Sequence, residues 1–409
     1  MTALVTGIGV ASPIGLGVEE YWQGTLSGAL GIAPITRFDP AKYRVRLAGE
    51  VRGFEPEEHL PARLLPQTDH MTRMALAATE WALADAGVRP GEFPEYEMAV
   101  VTGATAGGYE FGQREMQKLW QQGPDHVSTY QSFAWFYAVN TGQISIRNGM
   151  RGPGAVIVTE QASGLDAVGH ARRQLRKGSR LAVTGGIDSS LCPWAWVAHL
   201  VAGSLSERDD PKRAYLPFDE GACGHVPGEG GAMLVLETAE SAAERAVARP
   251  YGEIAGYAAT FDSRREGRAV GLGRAAALAL ADARMSAADI DVVFADAAGL
   301  PELDETEAGV IAGIFGPDAV PVTAPKTMTG RLYAGGGSLD LAAALLSILH
   351  NVIPPTANVH DVPRKYRIDL VRGEPRSTPV RAALVLSRGR GGFNSAVVAR
   401  EFTFDGNSR

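Results

Sequence analysis

The segment Gly154 to Lys177, GAVIVTEQASGLDAVGHARRQLRK, holds the arrangement best suited to covalent chemistry. An apolar run passes through a sharp turn of small residues into a helix whose apolar face is Leu165, Val168, Ala171 and Leu175. A side chain on that elbow stands where the first helical N–H groups have no partner, so it is placed to stabilise a thiolate or an oxyanion. The residue there is Gln161, which offers no usable nucleophile. The two cysteines, Cys192 and Cys223, have no paired spacing, and Cys223 in EGACGHVPGEGG reads as structural. The eight histidines show neither HxxxH nor HExxH, so no metal site is expected. Gly7-x-Gly9 opens a dinucleotide fingerprint that fails at Ser12.

Around these residues the chain has an ordinary globular composition: 409 residues, 45% hydrophobic, 21% charged, net charge −7. Its length suits two or three domains, or two intimately packed halves. Mild acidity, without a stripe of Arg and Lys interleaved with aromatics, argues against nucleic acid as the main partner. No Lys or Arg precedes Arg37, and no apolar stretch reaches the roughly 18 residues that span a bilayer. A soluble protein of the reducing cytoplasm, with no membrane partner, is expected.

An α/β pattern runs through the chain, and it is doubled. ALADA occurs at Ala82 to Ala86 and again at Ala279 to Ala283, an offset of 279 − 82 = 197 residues, each time closing an alanine-rich helical stretch. ALVTG, EMAVVTG, AVIV, RLAVTGG and GGAMLVLE in the first part have counterparts in GEIAGYAA, the run from Asp291 to Gly299, VPVTA, RAALVLS and NSAVVAREF, with helices at matching places. Such alternation predicts mostly parallel sheets covered by helices on both faces. The all-round apolar LDLAAALLSIL, Leu339 to Leu349, suits burial between two stacked sheets. Arg245 to Pro250 divides the chain into halves, 1–247 and 248–409. The first is lengthened by excursions over Gly28 to Thr68 and Gly123 to Met150. The second excursion places Phe133, Trp135, Phe136 and Tyr137 within five residues, a candidate interface.

Over its whole length the chain resembles the beta-ketoacyl synthases, and within them the chain length factors, the beta-subunits of bacterial type II aromatic polyketide synthases. Condensing members carry a reactive cysteine at the elbow; chain length factors carry a glutamine in a context similar to EQASGLDA. Where the family has NAHGSGTKQND, this chain reads FADAAGLPELD, with Asp296 at the histidine and Ala297 at the glycine. Where it has KSxxGHxxGAxG, this chain reads KTMTGRLYAGGG, which keeps Lys326 and Gly330 but puts Arg331 at the second histidine. RGRGGFNSA, Arg388 to Ala396, matches FGFGGFN with its first two aromatics replaced by arginines.

The resemblance implies a thiolase-like fold with a duplicated five-layered α-β-α-β-α architecture. Condensation in this family needs a thiolate to hold the chain and two imidazoles to stabilise the enolate, so this subunit is not expected to condense alone. A heterodimer with a cysteine-containing ketosynthase alpha-subunit is implied. Its substrate would ride on the phosphopantetheine of an acyl carrier protein, with no cofactor bound to this chain. The expected role is to set the length of the poly-beta-ketone built from malonyl units. Tyr109, Gly112 and Met116, at i, i+3 and i+7, share one helical face; by resemblance this face, with Phe133 and Trp194, lines the end of the product tunnel. The alternative role is decarboxylation of malonyl carrier protein through Gln161, whose amide can donate to an enolate. Buried and opposite in charge, Asp296 and Arg331 are expected to pair.

Overall fold

The computed structural model describes residues 2–263 and 268–404. The outermost positions assigned to the two halves, 1 and 405–409, lie outside the described residues. The first half supplies strands β1 (Ala3–Ser12), β2 (Met98–Gly103), β3 (Gly154–Ile157), β4 (Leu181–Asp188) and β5 (Gly230–Thr238). The second supplies β6 (Gly252–Phe261), β7 (Val292–Phe294), β8 (Pro321–Thr323), β9 (Ala382–Gly389) and β10 (Phe393–Arg400). The main helices are α1 (His70–Asp85), α2 (Tyr109–Gln122), α3 (Ser163–Arg176), α4 (Pro193–Ala202), α5 (Arg268–Ala283), α6 (Pro301–Phe315) and α7 (Ala334–His350). Further helices, Val18–Leu26 and Val139–Asn148 among them, and shorter strands and turns connect them.

Strand order is β3-β2-β4-β5-β1 in the first half and β8-β7-β9-β10-β6 in the second, so each strand of one half has its counterpart five places later. The halves meet edge to edge, where Leu4 and Val5 of β1 pair with Glu253 and Gly252 of β6. One continuous hydrogen-bonded path therefore joins what the pattern presents as two sheets. Pairing is also less parallel than the alternation predicts. β2 lies parallel to β3 and β4, and β7 to β8 and β9, but β5 and β10 run antiparallel to both neighbours. The reason is visible in the second half, where a tight turn through Gly391 and Gly392, both at positive φ, joins β9 to β10. A connection that short permits only an antiparallel pair.

Two helices fill the space between the half-sheets. Leu165, Val168 and Leu175 of α3 and Leu339, Leu345 and Leu346 of α7 share one core with Val5 and Val10 on one side and Val385 and Val397 on the other. Each fully buried leucine contributes about 1.5–3 kcal/mol relative to an exposed one. Outside, α1 packs Met74, Ala78 and Leu83 on Val100, Val183 and Val235. On the opposite side α5 packs Leu272, Ala276 and Leu280 on Val293, Leu384 and Val398. Helix, sheet, helix pair, sheet and helix make the five layers.

The repeated pentapeptide has a specific task in this frame. β1 bulges at Thr6 and β6 at Ala255, each opposite a shift in its partner's register. Directly after each bulge comes a glycine, Gly7 or Gly256, where a methyl group would collide with the carbonyl oxygen of Ala82 or Ala279. The aspartate of ALADA then accepts from the backbone beyond the bulge: Asp85 from Ile8 N at 2.8 Å, Asp282 from Tyr257 N at 3.0 Å. Alanine lets the helix touch the strand, glycine admits it, and aspartate takes up the N–H freed by the bulge. No helix among the described residues is long and apolar enough to cross a membrane.

Asp85→Ala is expected to cost about 1–3 kcal/mol, the desolvation of one buried N–H. Asp282→Ala is expected to destabilise too, through loss of the Tyr257 N–H bond and of the pair with Arg172. Denaturant unfolding of both variants checks this, and two silent substitutions would refute the lock.

Candidate functional site

β3 ends at Ile157, and one 3₁₀ turn, Glu160–Ala162, leads into α3. The turn is strained, with Glu160 at φ 56, a conformation costly for a residue with a Cβ. Local hydrogen bonds hold it there. The Glu160 carboxylate accepts from Gln161 N and Arg390 N, each at 2.8 Å, and Thr159 N donates to Ser163 Oγ at 2.8 Å. Gln161 is thus presented at the start of α3, 5% exposed, with its carbonyl accepting from Ser387 Oγ at 2.9 Å.

The equivalent connection of the second half, from β8 to α7, faces this elbow. The glycines that open α7 let the two helix starts meet: a methyl on Gly336 would lie 3.0 Å from Gln161 Oε1, and one on Gly337 2.9 Å from Leu165 Cγ. Between them remains a cavity of ≈ 10 Å³, lined by Gln161, Lys326, Thr329, Arg331, Gly336 and Asp340 among others. That is room for about one water molecule. Lys326 forms an ion pair with Asp340 across it. Gln161 Nε2 is buried with no hydrogen-bond partner among the described residues.

Beside the cavity, Asp296 and Arg331 meet. Arg331 Nη2 lies 2.9 Å from Asp296 Oδ1 and Nη1 3.3 Å from Oδ2, while Nη1 also donates to the carbonyl of Asp296 at 2.7 Å. Both residues are buried, at 1% and 5% exposure. Burial alone would raise the Asp296 carboxyl, but Arg331, Arg388 and Lys326 outweigh it and hold it well below the usual carboxylate range. Burial likewise opposes charge on Arg331, and Asp296 reverses the balance.

Two further members were not assigned a role from the sequence. Arg388 places Nε 3.4 Å from Asp296 Oδ2, and its backbone N–H donates to Asp296 Oδ1 at 2.8 Å. Glu307 of α6 accepts from the N–H groups of Asp296 and Ala297 at 2.7 and 2.9 Å and pairs with Arg388 Nη2 at 3.4 Å. Arg388 is legible as a motif departure, whereas Glu307 carries no motif signal. Arg390, the other arginine of that stretch, is exposed. Among the described residues no cluster of His, Cys, Asp or Glu could hold a metal ion.

A second group forms where α2 crosses α4. The rings of Tyr109 and Trp194 lie 5.0 Å apart, and Trp194 N donates to Gln113 Oε1 at 2.7 Å. A methyl on Gly112 would meet Trp194 Cζ3 and Trp135 Cβ at 3.4 Å each, so Gly112 sits under two tryptophans. Met116 is half-buried one turn further on. Phe133 pairs its ring with Tyr130 at 5.9 Å; the structure records no ring contact between it and Tyr109 or Trp194. Asp69 fixes the start of α2. Its carboxylate caps α1 through Met71 N at 2.9 Å and accepts from Phe111 N at 2.8 Å. Around this group Trp194, Val197, Val201, Trp135, Phe136 and Tyr137 present exposed apolar surface.

Comparison with known proteins finds the same frame. Residues 3–242 match the family model of the beta-ketoacyl synthase N-terminal domain and residues 251–360 that of the C-terminal domain. The tetracenomycin polyketide synthase ketoacyl synthase beta subunit of Streptomyces glaucescens is 61% identical over 399 residues, 97% of this chain and 98% of that protein. Among solved structures, the ishigamide ketosynthase/chain length factor superposes with a TM-score of 0.90 at 29% identity, covering 98% of this chain and 99% of the other. A type II polyketide synthase ketosynthase, bound to the hexaketide and in complex with its acyl-carrier protein, gives 0.87 at 25% identity, covering 98% and 99%.

Two outcomes follow from the electrostatics. Arg331→Met removes the main partner of Asp296, leaving Arg388, and is expected to cost up to about 3–5 kcal/mol, with Asp296→Leu/Arg331→Met less harmful than that single change; a single variant as stable as the parent would contradict this. Asp188, under the start of α7, has its carboxyl raised to about 6 by burial. The native state therefore keeps a proton that an unfolded aspartate releases near 3.9, so this contribution to stability is present at low pH and is lost as pH rises from about 4 to 6. Asp188→Asn should flatten that part of the stability-versus-pH curve, and an unchanged slope would be the contrary result.

Proposed function

The chain belongs to the beta-ketoacyl synthase family, and we propose that it works there as a chain length factor of a type II polyketide synthase. The observation that carries this reading is the filled elbow. Gln161 stands where a nucleophile would be needed, and the histidine positions hold a buried Asp296–Arg331 pair. A cavity of ≈ 10 Å³ beside Gln161 has no room for a malonyl thioester. Condensation then rests with a cysteine-containing ketosynthase alpha-subunit, and this chain supplies half of a pseudo-twofold heterodimer. The edge strand β3 and the exposed Trp194, Val197 and Trp135 offer the surface such a partner would cover. We assign the pair to the cytoplasm, with substrate delivered on the phosphopantetheine of an acyl carrier protein. We take the division of the chain at 247/248.

Mechanistically, the subunit measures length by volume. Held as a thioester on the partner's cysteine between condensations, the growing poly-beta-ketone extends toward α2, whose Tyr109, Gly112 and Met116, together with Trp194, form the far wall. Forcing further atoms against packed side chains costs about 1–3 kcal/mol, which slows the next extension by about fivefold to over a hundredfold. Phe133, whose ring meets Tyr130, is assigned to the same wall. The other reading, decarboxylation of malonyl carrier protein, draws on the unpartnered Gln161 Nε2, which could donate to an enolate oxygen if the cavity widened.

In the heterodimer, Gly112→Phe adds bulk beside Trp194 and is expected to shorten the main product; Met116→Ala is expected to lengthen it. Mass spectrometry of the products checks both, and unchanged distributions from intact heterodimers would take the wall away from α2. Carbon dioxide release that disappears in Gln161→Ala, with the partner's cysteine blocked, would favour the decarboxylase reading.

A further inference from the structure

We infer that Arg37 is a positioning residue for product length: acting through Glu110, it fixes the start of α2 and so the place of Tyr109 in the wall. This rests on the tunnel reading above. Arg37 belongs to the excursion from Gly28 to Thr68, in which a small hairpin pairs Ile32–Pro34 with Leu47–Gly49. Its guanidinium forms an ion pair with Glu110, in the first turn of α2. Arg37 Nε also lies 3.9 Å from Glu229 Oε2, a carboxylate fully buried just before β5. Glu229 is itself held in place, accepting from Ser189 Oγ at 2.5 Å and Val51 N at 3.1 Å. Burial alone would weaken the charge on Arg37, but Glu229 and Glu110 outweigh it and hold the group above its ordinary pKa. The cation has a further task beside Asp69, whose carboxyl is raised by burial and, to a lesser degree, by the like charge of Glu110. Without Arg37, Glu110 would face that carboxylate unpaired.

The same stretch grips the other wall helix. Phe38, the next residue, sets its ring edge-on to Trp196 of α4 with centroids 5.9 Å apart, and Trp196 Nε1 donates to Val45 O at 3.1 Å. Ile35, Val45 and Ala48 share a buried cluster with Trp196. The backbone between these contacts is fixed, because the Glu50 carboxylate accepts from Thr36 N at 2.7 Å and from Arg37 N at 3.0 Å. Two consecutive residues, Arg37 and Phe38, thus bracket α2 and α4, the helices whose Tyr109 and Trp194 rings meet at 5.0 Å. Side chains of the wall set its bulk; the bracket sets where the two helices stand.

The test is product length from the reconstituted heterodimer with malonyl carrier protein, with assembly followed by size-exclusion chromatography. Arg37→Met and Glu110→Ala are each expected to add products at least one extension unit longer than the parent's. Arg37→Met/Glu110→Ala is expected to go no further than the larger single shift, since both changes break one link. A fold weakened without moving the wall would lower yield and leave length unchanged. If Arg37→Met does not assemble, Glu110→Ala decides alone. Parent-length or shorter product from either assembled single variant, while Met116→Ala lengthens it, would overturn this inference and leave the tunnel reading standing. Additive shifts in the double variant would overturn it too. Parent length in every variant, Met116→Ala included, would overturn both. Failure of both single variants to assemble would assign the pair to subunit assembly and also overturn the inference.

Discussion

The buried pair Asp296–Arg331 is the constraint around which the rest of the site is arranged. Two charges at 1% and 5% exposure are tolerable only when each neutralises the other and the remaining hydrogen-bonding capacity is taken up. That requirement fixes the segment after β7 against the connection before α7. It also recruits Arg388 from β9 and Glu307 from α6. Four separate parts of the second half are tied together at the place where imidazoles would otherwise face the elbow. The result is a network of paired charges in which Asp296 and Glu307 face Arg331 and Arg388.

What allows the network to face Gln161 is the duplication. Equivalent strand-to-helix turns from the two halves converge, and the small residues at the starts of α3 and α7 let their backbones approach. Gly164 lies against Ala334 O, where a methyl would come within 2.6 Å. The same economy of side chain recurs at the two bulges, where Gly7 and Gly256 admit the ALADA helices. A frame built from such contacts is held by backbone packed closely on backbone.

Much of this was legible in the chain. The repeated ALADA gave the duplication because close helix-strand packing demands the same small residues twice. The elbow and the charge replacements were legible because they fall within spaced motifs. The pairing directions were not, since alternation of strands and helices says nothing about β5 or β10, whose direction depends on the hairpin and on long connections. Glu307 was invisible because its partners are backbone N–H groups brought to it by folding. The places of Phe133 and Trp135 could not be told apart within one aromatic run, where the close approach of the chain to Gly107 and Gly108 sets the Trp135 backbone against α2.

The most direct test of the central claim is to incubate the purified chain with malonyl carrier protein, alone and then with a cysteine-bearing ketosynthase partner, and to read the products by mass spectrometry. A subunit that shapes a partner's tunnel gives long polyketide only in the mixture. Polyketide from this chain alone would contradict the account and require another nucleophile in place of Gln161.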